Sequence, residues 1–206
     1  MHLLSWETVT KLKLCGGLGI RDALCSNQSF LMNQAWRIWH NGHSLLAKFL
    51  QHRHHCNSNF LLTSSSHGSH AWKALLCGRN LMKEGLRWVV QLGHSIHFWL
   101  DHWLPIRSIR GLVHGPLLAH EYDFKVARFV VDNQRWDFTP LNMALPDMVI
   151  QHILAQPLPL NVTHIPSDIQ TWNNHSGICS VKSAYHFLLD KRSQYQNRVG
   201  HSYLFG

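Results

Sequence analysis

The sequence contains no pair of adjacent acidic residues. Its 11 Asp and Glu residues are spread singly along 206 positions, and Asp132 and Asp137 are among the closest. Nucleotidyl transfer needs two or three carboxylates that together hold a pair of metal ions. Arg135, between these two acids, is more typical of a hairpin surface than of a metal cage. We therefore predict that the chain is not an enzyme and has no catalytic residues.

Paired cysteines and long apolar runs are also lacking. The five cysteines are scattered without a C-x-x-C pair, which favours free thiols in a reducing compartment over a disulfide framework or a structural zinc site. No window reaches the roughly 18 uninterrupted apolar residues of a membrane span. The start at Met1 has neither a basic leader nor an apolar signal core. We expect an intracellular chain, in the cytoplasm or nucleus, with no membrane partner.

Apolar residues and positive charge are what the chain does have. Hydrophobic residues make up 45%, with nine Trp and nine Phe, which indicates a globular chain with a sizeable core. The net charge is +8. Residues 1–110 hold 12 Lys and Arg against four acids, whereas residues 111–206 hold seven against seven. A one-sided positive field favours a polyanionic partner, and the alternative is a merely solvated basic face.

Apolar residues at helical spacing predict three helices in the first half. Before them, the Gly16–Gly19 stretch indicates a loop. The first helix is expected from Ser26 or Asn27 to about Asn41, and the second begins after Ser44 as its cap. The third is expected to break or bend around Gly78.

The apolar period then changes from 3.6 to 2. Alternation on both sides of Gly93-His94 predicts a Trp-rich β-hairpin over residues 88–100, and a second hairpin is expected over 127–138. Pro146 favours the first turn of a short helix. Near the end we predict a strand over 169–172, a strand over 178–181 and a helix over 182–191. The fold class is therefore α+β.

Three stretches, in order along the chain, resemble the C-terminal part of plant LINE-type non-LTR retrotransposon reverse transcriptases. The first is W-E-T-V at 6–9 with K-L-C-G-G-L-G-I-R at 13–21, Asn27 and Trp36-Arg37. The second comprises W-K at 72–73, G-R-N-L at 78–81, G-L-R-W at 85–88 and G-H-S-I-H-F-W-L-D-H-W at 93–103. The third is D-I-Q-T-W at 168–172 with G-I-C-S-V-K-S-A-Y at 177–185. The resemblance covers nearly the whole chain.

This resemblance implies a segment between the polymerase thumb and the reverse-transcriptase zinc-binding domain. Residues 1–110 would be a basic post-thumb helical segment that ends in the Trp-rich hairpin, and residues 111–206 would lead into a truncated zinc-binding domain. The family's zinc-binding Cys and His lie beyond the position of Tyr185, where only His186 and His201 follow. The four clustered acids of ribonuclease H chemistry are also missing. We expect a truncated, non-catalytic fragment without cofactor or metal.

The resemblance and the charge together predict weak, non-specific binding of RNA or an RNA–DNA hybrid through phosphate contacts. The candidate contacts lie beside glycines or at element ends, and they are Lys11, Lys13, Arg21, Lys73, Arg79 and Arg87. A structural or protein-interaction remnant that binds no nucleic acid remains the alternative. It would self-associate through exposed apolar surface.

Three other features favour structural interpretations. The dense histidine cluster at residues 52–55, followed by Cys56, lacks the four convergent ligands of a zinc site, and we interpret it as a solvated helix end. Asp101 is expected to accept a hydrogen bond from an indole or a backbone turn. Four tryptophans have core periodicity rather than the pattern of a base-stacking surface, namely Trp36, Trp39, Trp88 and Trp99.

Overall fold

The computed structural model describes residues 5–10, 13, 16–54, 60–63, 68–131, 135–158 and 167–202. Helices and small antiparallel sheets alternate in it, so the α+β prediction is confirmed. Contacts divide the chain into two compact units, residues 1–85 with 179–206 (unit 1) and residues 86–178 (unit 2). The two units are defined by contacts in space, whereas the two segments predicted from the sequence were defined by charge and by resemblance. The units therefore do not test the predicted division at residue 110, which stays a prediction.

Unit 1 is helical, and its central helix packs against two others. The helices are α1 (Trp6–Thr10), α2 (Ala23–His40), α3 (Leu45–His54), α4 (His70–Glu84) and α6 (Val181–Ser202). Helix α2 packs mainly against α4 and α6. The amide Nδ2 of Asn33 in α2 donates to the carbonyl of Cys179, 2.7 Å away, just before α6.

Helix α2 begins three to four residues before the predicted start. Its cap is Asp22, whose carboxylate accepts from the backbone N–H of Cys25 at 2.8 Å. A capping carboxylate satisfies a backbone donor that the first turn leaves unpaired. The second predicted helix is confirmed as α3, because the Ser44 hydroxyl accepts from the N–H of Ala47.

Of the break or bend predicted at Gly78, the break is wrong, since α4 continues through this residue. A Cβ at this position would lie 2.6 Å from the backbone carbon and from the Cβ of Leu31. The glycine therefore permits the close approach of α2 and α4, and the hydrogen bonding of the helix is uninterrupted. Close approach of two helices is a use of glycine that a single sequence does not distinguish from a helix break.

Asp22 also joins the start of α2 to α6. Its side chain is buried, and its Oδ2 accepts from Arg192 at 3.2 Å. The hydrogen bond from the Cys25 N–H lowers the pKa of the Asp22 carboxyl, with smaller contributions from Arg192, and burial opposes the shift. The ionised carboxylate is therefore the form that stabilises unit 1.

Replacement of this carboxylate should give a stability difference that depends on pH. We expect Asp22→Asn to lower the free energy of unfolding by about 1 kcal/mol at neutral pH. The folded pKa lies below the unfolded value of about 3.9, so the stabilisation is complete above that value and is lost as the pH falls through the folded pKa. Urea unfolding of both proteins at pH 7 and pH 3 checks this. A difference that stays the same at both pH values would contradict it.

The described cysteines are free thiols, as predicted. Cys25 and Cys179 are buried and Cys77 is exposed. Burial raises the pKa of the Cys179 thiol to about 12, so this side chain acts as a small apolar group at neutral pH. Cys15 and Cys56 lie outside the described residues.

Unit 2 is built around an aromatic core. Phe98, Trp99 and Trp103 are fully buried, and the ring centroids of Phe98 and Phe129 are 4.0 Å apart. The core prediction is confirmed for Trp99 and, in unit 1, for Trp36, whereas Trp39 and Trp88 are partly buried. Such rings remove large apolar areas from water, which is the main stabilising contribution to a unit with little regular structure.

Asp101 holds a turn next to this core. Its Oδ2 accepts from the backbone N–H of His97 at 2.7 Å, and its own N–H donates to the carbonyl of His97 at 3.2 Å. The expectation of a carboxylate bound to a backbone turn is therefore confirmed.

The first predicted hairpin is wrong. Strand β1 (Leu86–Val89) pairs antiparallel with the distant strand β4 (Ile169–Trp172), with Leu86 opposite Trp172 and Val89 opposite Ile169. The expected return strand pairs elsewhere, because the N–H of Phe98 donates to Phe124 and the carbonyl of Ile96 accepts from Val126. Alternation of apolar residues predicts extended segments but specifies neither their partners nor the turn that residues 98–100 form.

Asp168 fixes the connection that replaces this hairpin. Its Oδ1 accepts from the N–H groups of Gln91 and Gly93 at 2.9 and 2.8 Å, and its Oδ2 accepts from Ser95 at 3.0 Å. Gly93 has a φ of +72°, and a Cβ there would lie 2.7 Å from the backbone nitrogen of Ala127. One carboxylate thus organises residues 91–95 as a turn next to β4.

The second hairpin is confirmed in its pairing, with β2 (Val130–Val131) antiparallel to β3 (Arg135–Trp136), but residues 127–129 belong to a 3-10 helix and not to the first strand. Its turn residues lie outside the described part of the chain. The helix expected near Pro146 is α5 (Asp147–Leu154), and Pro146 is its cap.

The strand predicted over residues 178–181 is wrong, because β4 pairs with β1 and α6 begins at Val181. Ser180 and Ser183 exchange hydrogen bonds between their backbone N–H groups and hydroxyls at 2.9 and 3.1 Å. This reciprocal cap satisfies donors at the start of the helix in the manner of a capping box.

Candidate nucleic-acid interface

A cationic pocket lies in unit 1 between the glycine loop and two helices. Its volume is about 410 Å³. Segments 19–21, α2 and α6 supply nearly all of its lining. The lining residues are Thr10, Gly19, Ile20, Arg21, Ser26, Ser29, Phe30, Val181, Lys182, Tyr185, His186 and Leu189. We call this the basic pocket.

Arg21 is positioned in the basic pocket by an aromatic ring. Its guanidinium carbon lies 5.9 Å from the centroid of the Tyr185 ring, within the range of a cation–π contact. The Tyr185 hydroxyl in turn accepts from the backbone N–H of Asp22 at 3.0 Å. Arg21 remains exposed, so its charge is held at the pocket without being buried in an ion pair.

Helix α6 contributes two further nitrogen-bearing side chains, Lys182 and His186. They are four residues apart and both exposed, which places them on one face of the helix. Sequence reasoning missed them because residues 111–206 are neutral in total. Their i, i+4 spacing within the predicted C-terminal helix could have indicated a basic helix face.

Lys13 lies along the glycine loop. Gly19 has a φ of +69°, and a Cβ built there would lie 3.1 Å from the Cγ of Lys13. The predicted loop is therefore present, and its chain reversal brings the Lys13 side chain against the segment that leads into Arg21. Lys13 itself is exposed. Two of the six predicted contacts, Lys13 and Arg21, thus lie at this one loop.

Among the predicted contacts that the structure describes, Arg21 alone lines the basic pocket. Lys73 is exposed on α4. Arg79 is buried and donates from Nη1 to the carbonyls of Phe60, at 3.2 Å, and Thr63. This geometry favours a structural role in tying residues 60–63 to α4. Arg87 is half-buried in β1 of unit 2, and Lys11 lies outside the described residues.

The histidines form no metal centre in the described part of the chain. No group of three or more His, Cys, Asp or Glu side chains there could hold a metal ion. His52 is exposed near the end of α3, and His55 and Cys56 lie outside the described residues. Among the described helices, none combines the length and apolar character needed to cross a membrane.

The fold and the basic pocket define an α+β chain with a cationic surface. It is 28% identical over 193 residues to a "Putative ribonuclease H protein" of Arabidopsis thaliana, an alignment that covers 91% of this chain and 31% of that protein. The chain thus spans about a third of that relative's length. It is also 35% identical over 103 residues to an uncharacterized mitochondrial protein of Arabidopsis thaliana, covering 49% of this chain and 67% of the relative.

The chain belongs to the same plant protein family as this mitochondrial protein, because the similarity extends over two thirds of the relative. Both matches are consistent with a plant retroelement-derived protein, which is the broader part of the resemblance predicted from the sequence. No protein-family model and no solved structure matches the chain.

Proposed function

We propose that this chain is a non-catalytic nucleic-acid-binding segment of a LINE-type reverse transcriptase. It would lie between the polymerase thumb and the zinc-binding domain of the parent protein, and it would act in the cytoplasm or nucleus. Its ligand would be RNA or an RNA–DNA hybrid, bound with low affinity through phosphates. The name of the ribonuclease H relative supports an association with nucleic acid in general.

The observation that carries this proposal is the convergence of Arg21 and Lys182 on one pocket, with Lys13 beside it. Three exposed cations on a loop and a helix end can approach a phosphate backbone, which carries one charge per nucleotide. Tyr185 holds the Arg21 guanidinium in place, so less side-chain entropy is lost on binding. No base-specific contact is required, and the expected binding is non-specific.

Fluorescence anisotropy with a labelled RNA and a labelled RNA–DNA hybrid tests the proposal. We expect binding that weakens steeply between about 50 and 200 mM salt, because counterions are released from the phosphates. The double variant Arg21→Ala/Lys182→Ala should weaken binding at low salt about tenfold or more and flatten the salt dependence, since about two phosphate contacts are lost.

A matched variant separates a local site from net charge. Arg135→Ala/Arg107→Ala removes two exposed positive charges from unit 2 and should leave affinity within about twofold. Equal losses of affinity in the two double variants would indicate attraction by net charge and would contradict binding at the basic pocket. Absence of binding at low salt in a cooperatively folded sample would reject the proposal and favour the interaction remnant.

A further inference from the structure

A second concave site in unit 1 is apolar rather than basic. It has a volume of about 470 Å³ and lies among α2, α3 and α4. Its lining is mostly aliphatic and aromatic, and the polar side chains are Gln34, Arg53 and Ser69. The lining residues are Leu31, Gln34, Ile38, Leu46, Phe49, Leu50, Arg53, Ser69, Ala71, Trp72 and Leu75. We call this the apolar groove. It shares no residue with the basic pocket.

The groove has a buried floor and an exposed rim. Trp72 and Leu75 of α4 are buried, whereas Leu46 and Phe49 of α3 are 48% and 57% exposed. Pairs of exposed large apolar side chains beside a concavity are typical of surfaces that bury another apolar element. Arg53 is the one charged side chain among these lining residues, and the apolar remainder offers no donor to a phosphate backbone, so the groove does not extend the proposed nucleic-acid site.

The helices around the groove carry positive charge and almost no carboxylate. Residues 23–83, which include α2, α3 and nearly all of α4, contain no Asp or Glu. The same stretch contains exposed Lys48, Arg53 and Lys73. The Arg53 guanidinium lies 5.9 Å from the Phe49 ring centroid, at the rim itself.

This combination restricts the occupant. A second copy of this chain docked through the same face would bring two cationic surfaces together, which is unfavourable. A helix that presents leucines at i, i+3, i+4 and i+7 fits an apolar groove between helices. Acidic residues on the flanks of that helix would face Arg53 and would meet no carboxylate on α2 or α3.

We propose that the apolar groove binds an acidic amphipathic helix of a partner protein. The apolar face of the helix would lie against Trp72, Leu46 and Phe49. Its flanking carboxylates would pair with Arg53 at the rim, and the positive charge of the surrounding helices would raise the association rate.

The test uses the full chain and a fluorescein-labelled synthetic helix with leucine at the groove-facing positions and glutamate on its flanks. A second peptide carries lysine at every glutamate position. We expect the glutamate peptide to bind and the lysine peptide to bind at least tenfold more weakly. Leu46→Ala/Phe49→Ala should weaken the glutamate peptide about tenfold or more, since truncation of anchor side chains has effects of this size.

Matched controls keep the outcomes distinct. Leu24→Ala removes an equally exposed apolar side chain of α2 that lines neither site and should leave peptide affinity unchanged. The Arg21→Ala/Lys182→Ala variant should also retain peptide binding, so failure of the proposed nucleic-acid function would not affect this result.

Other occupants would overturn the proposal. Sedimentation that shows a dimer abolished by Leu46→Ala/Phe49→Ala would assign the groove to a second copy. Binding to phosphatidylserine vesicles that the same variant abolishes, without peptide binding, would assign it to a lipid surface. Equal affinity for the glutamate and lysine peptides would show that positive charge at the groove does not select the partner, and would contradict the proposal.

Discussion

Gly78→Ala is expected to destabilise unit 1 although alanine is the better helix former. The added Cβ would lie 2.6 Å from the backbone carbon of Leu31 and 2.7 Å from its oxygen. Backbone atoms cannot rotate away as a side chain can, so α2 and α4 must separate. Overpacking of this kind costs up to about 3 kcal/mol, and the gain in helix propensity returns about 1 kcal/mol. We expect a net loss of about 2 kcal/mol in the free energy of unfolding.

Urea denaturation followed by circular dichroism measures this loss. Gly111→Ala is the matched control, because a Cβ at Gly111 would meet its nearest neighbour, the Ser108 hydroxyl, at an ordinary distance of 3.4 Å. This control should change the free energy of unfolding by less than about 0.5 kcal/mol. A Gly78→Ala protein as stable as wild type would contradict the close packing of α2 against α4 at this glycine. Gly78→Val should be still less stable, since its side chain extends further into α2.

Asp168→Ala is expected to destabilise unit 2 by about 3 kcal/mol. The substitution removes a charged acceptor from three backbone donors, Gln91, Gly93 and Ser95. Each hydrogen bond to a charged group contributes about 1.5–3 kcal/mol when buried, and the partial exposure of this site lowers the sum. The loss should appear in urea unfolding monitored by tryptophan fluorescence, to which five of the nine tryptophans contribute from unit 2.

Two further variants show whether the three hydrogen bonds cause the effect. Asp168→Asn keeps one acceptor oxygen but places an N–H₂ group at a position that now accepts, so its stability should lie between those of wild type and Asp168→Ala. Asp123→Ala removes an exposed carboxylate in the same unit and should be close to wild type. If Asp123→Ala and Asp168→Ala destabilise equally, general charge and not the turn is responsible.

The local elements of the chain were predictable because their determinants are local. The apolar stripe of α2, the Ser44 cap of α3 and the extended segments 130–131 and 135–136 each depend on residues within a few positions of one another. Helical spacing and strand alternation follow from backbone geometry alone. The start of α2 was misplaced because Ser26 and Asp22 are both good caps, and only the contacts of Asp22 with Arg192 and Tyr185 favour the earlier one.

Part of the candidate site was also predictable. Lys13 and Arg21 were identified because they flank glycines in a basic segment, and the chain reversal at Gly19 brings them to one loop. Arg79 was assigned to the same group from the same type of signal, yet it is buried against backbone carbonyls. Sequence spacing does not distinguish an exposed arginine from a buried one that donates hydrogen bonds to the backbone carbonyls of a loop.

The sequence by itself therefore determined the α+β class, the positive charge of residues 1–110, the free thiols among the described cysteines and the positions of most helices. Tertiary structure decided which strand pairs with β1, why Gly78 lies within a continuous helix, and that Lys182 and His186 line the same pocket as Arg21. The reason is the range of the interactions. Periodicity and capping act within one or two turns, whereas strand partners, helix approach and convergent charges depend on residues that are distant in the chain and become neighbours only after folding.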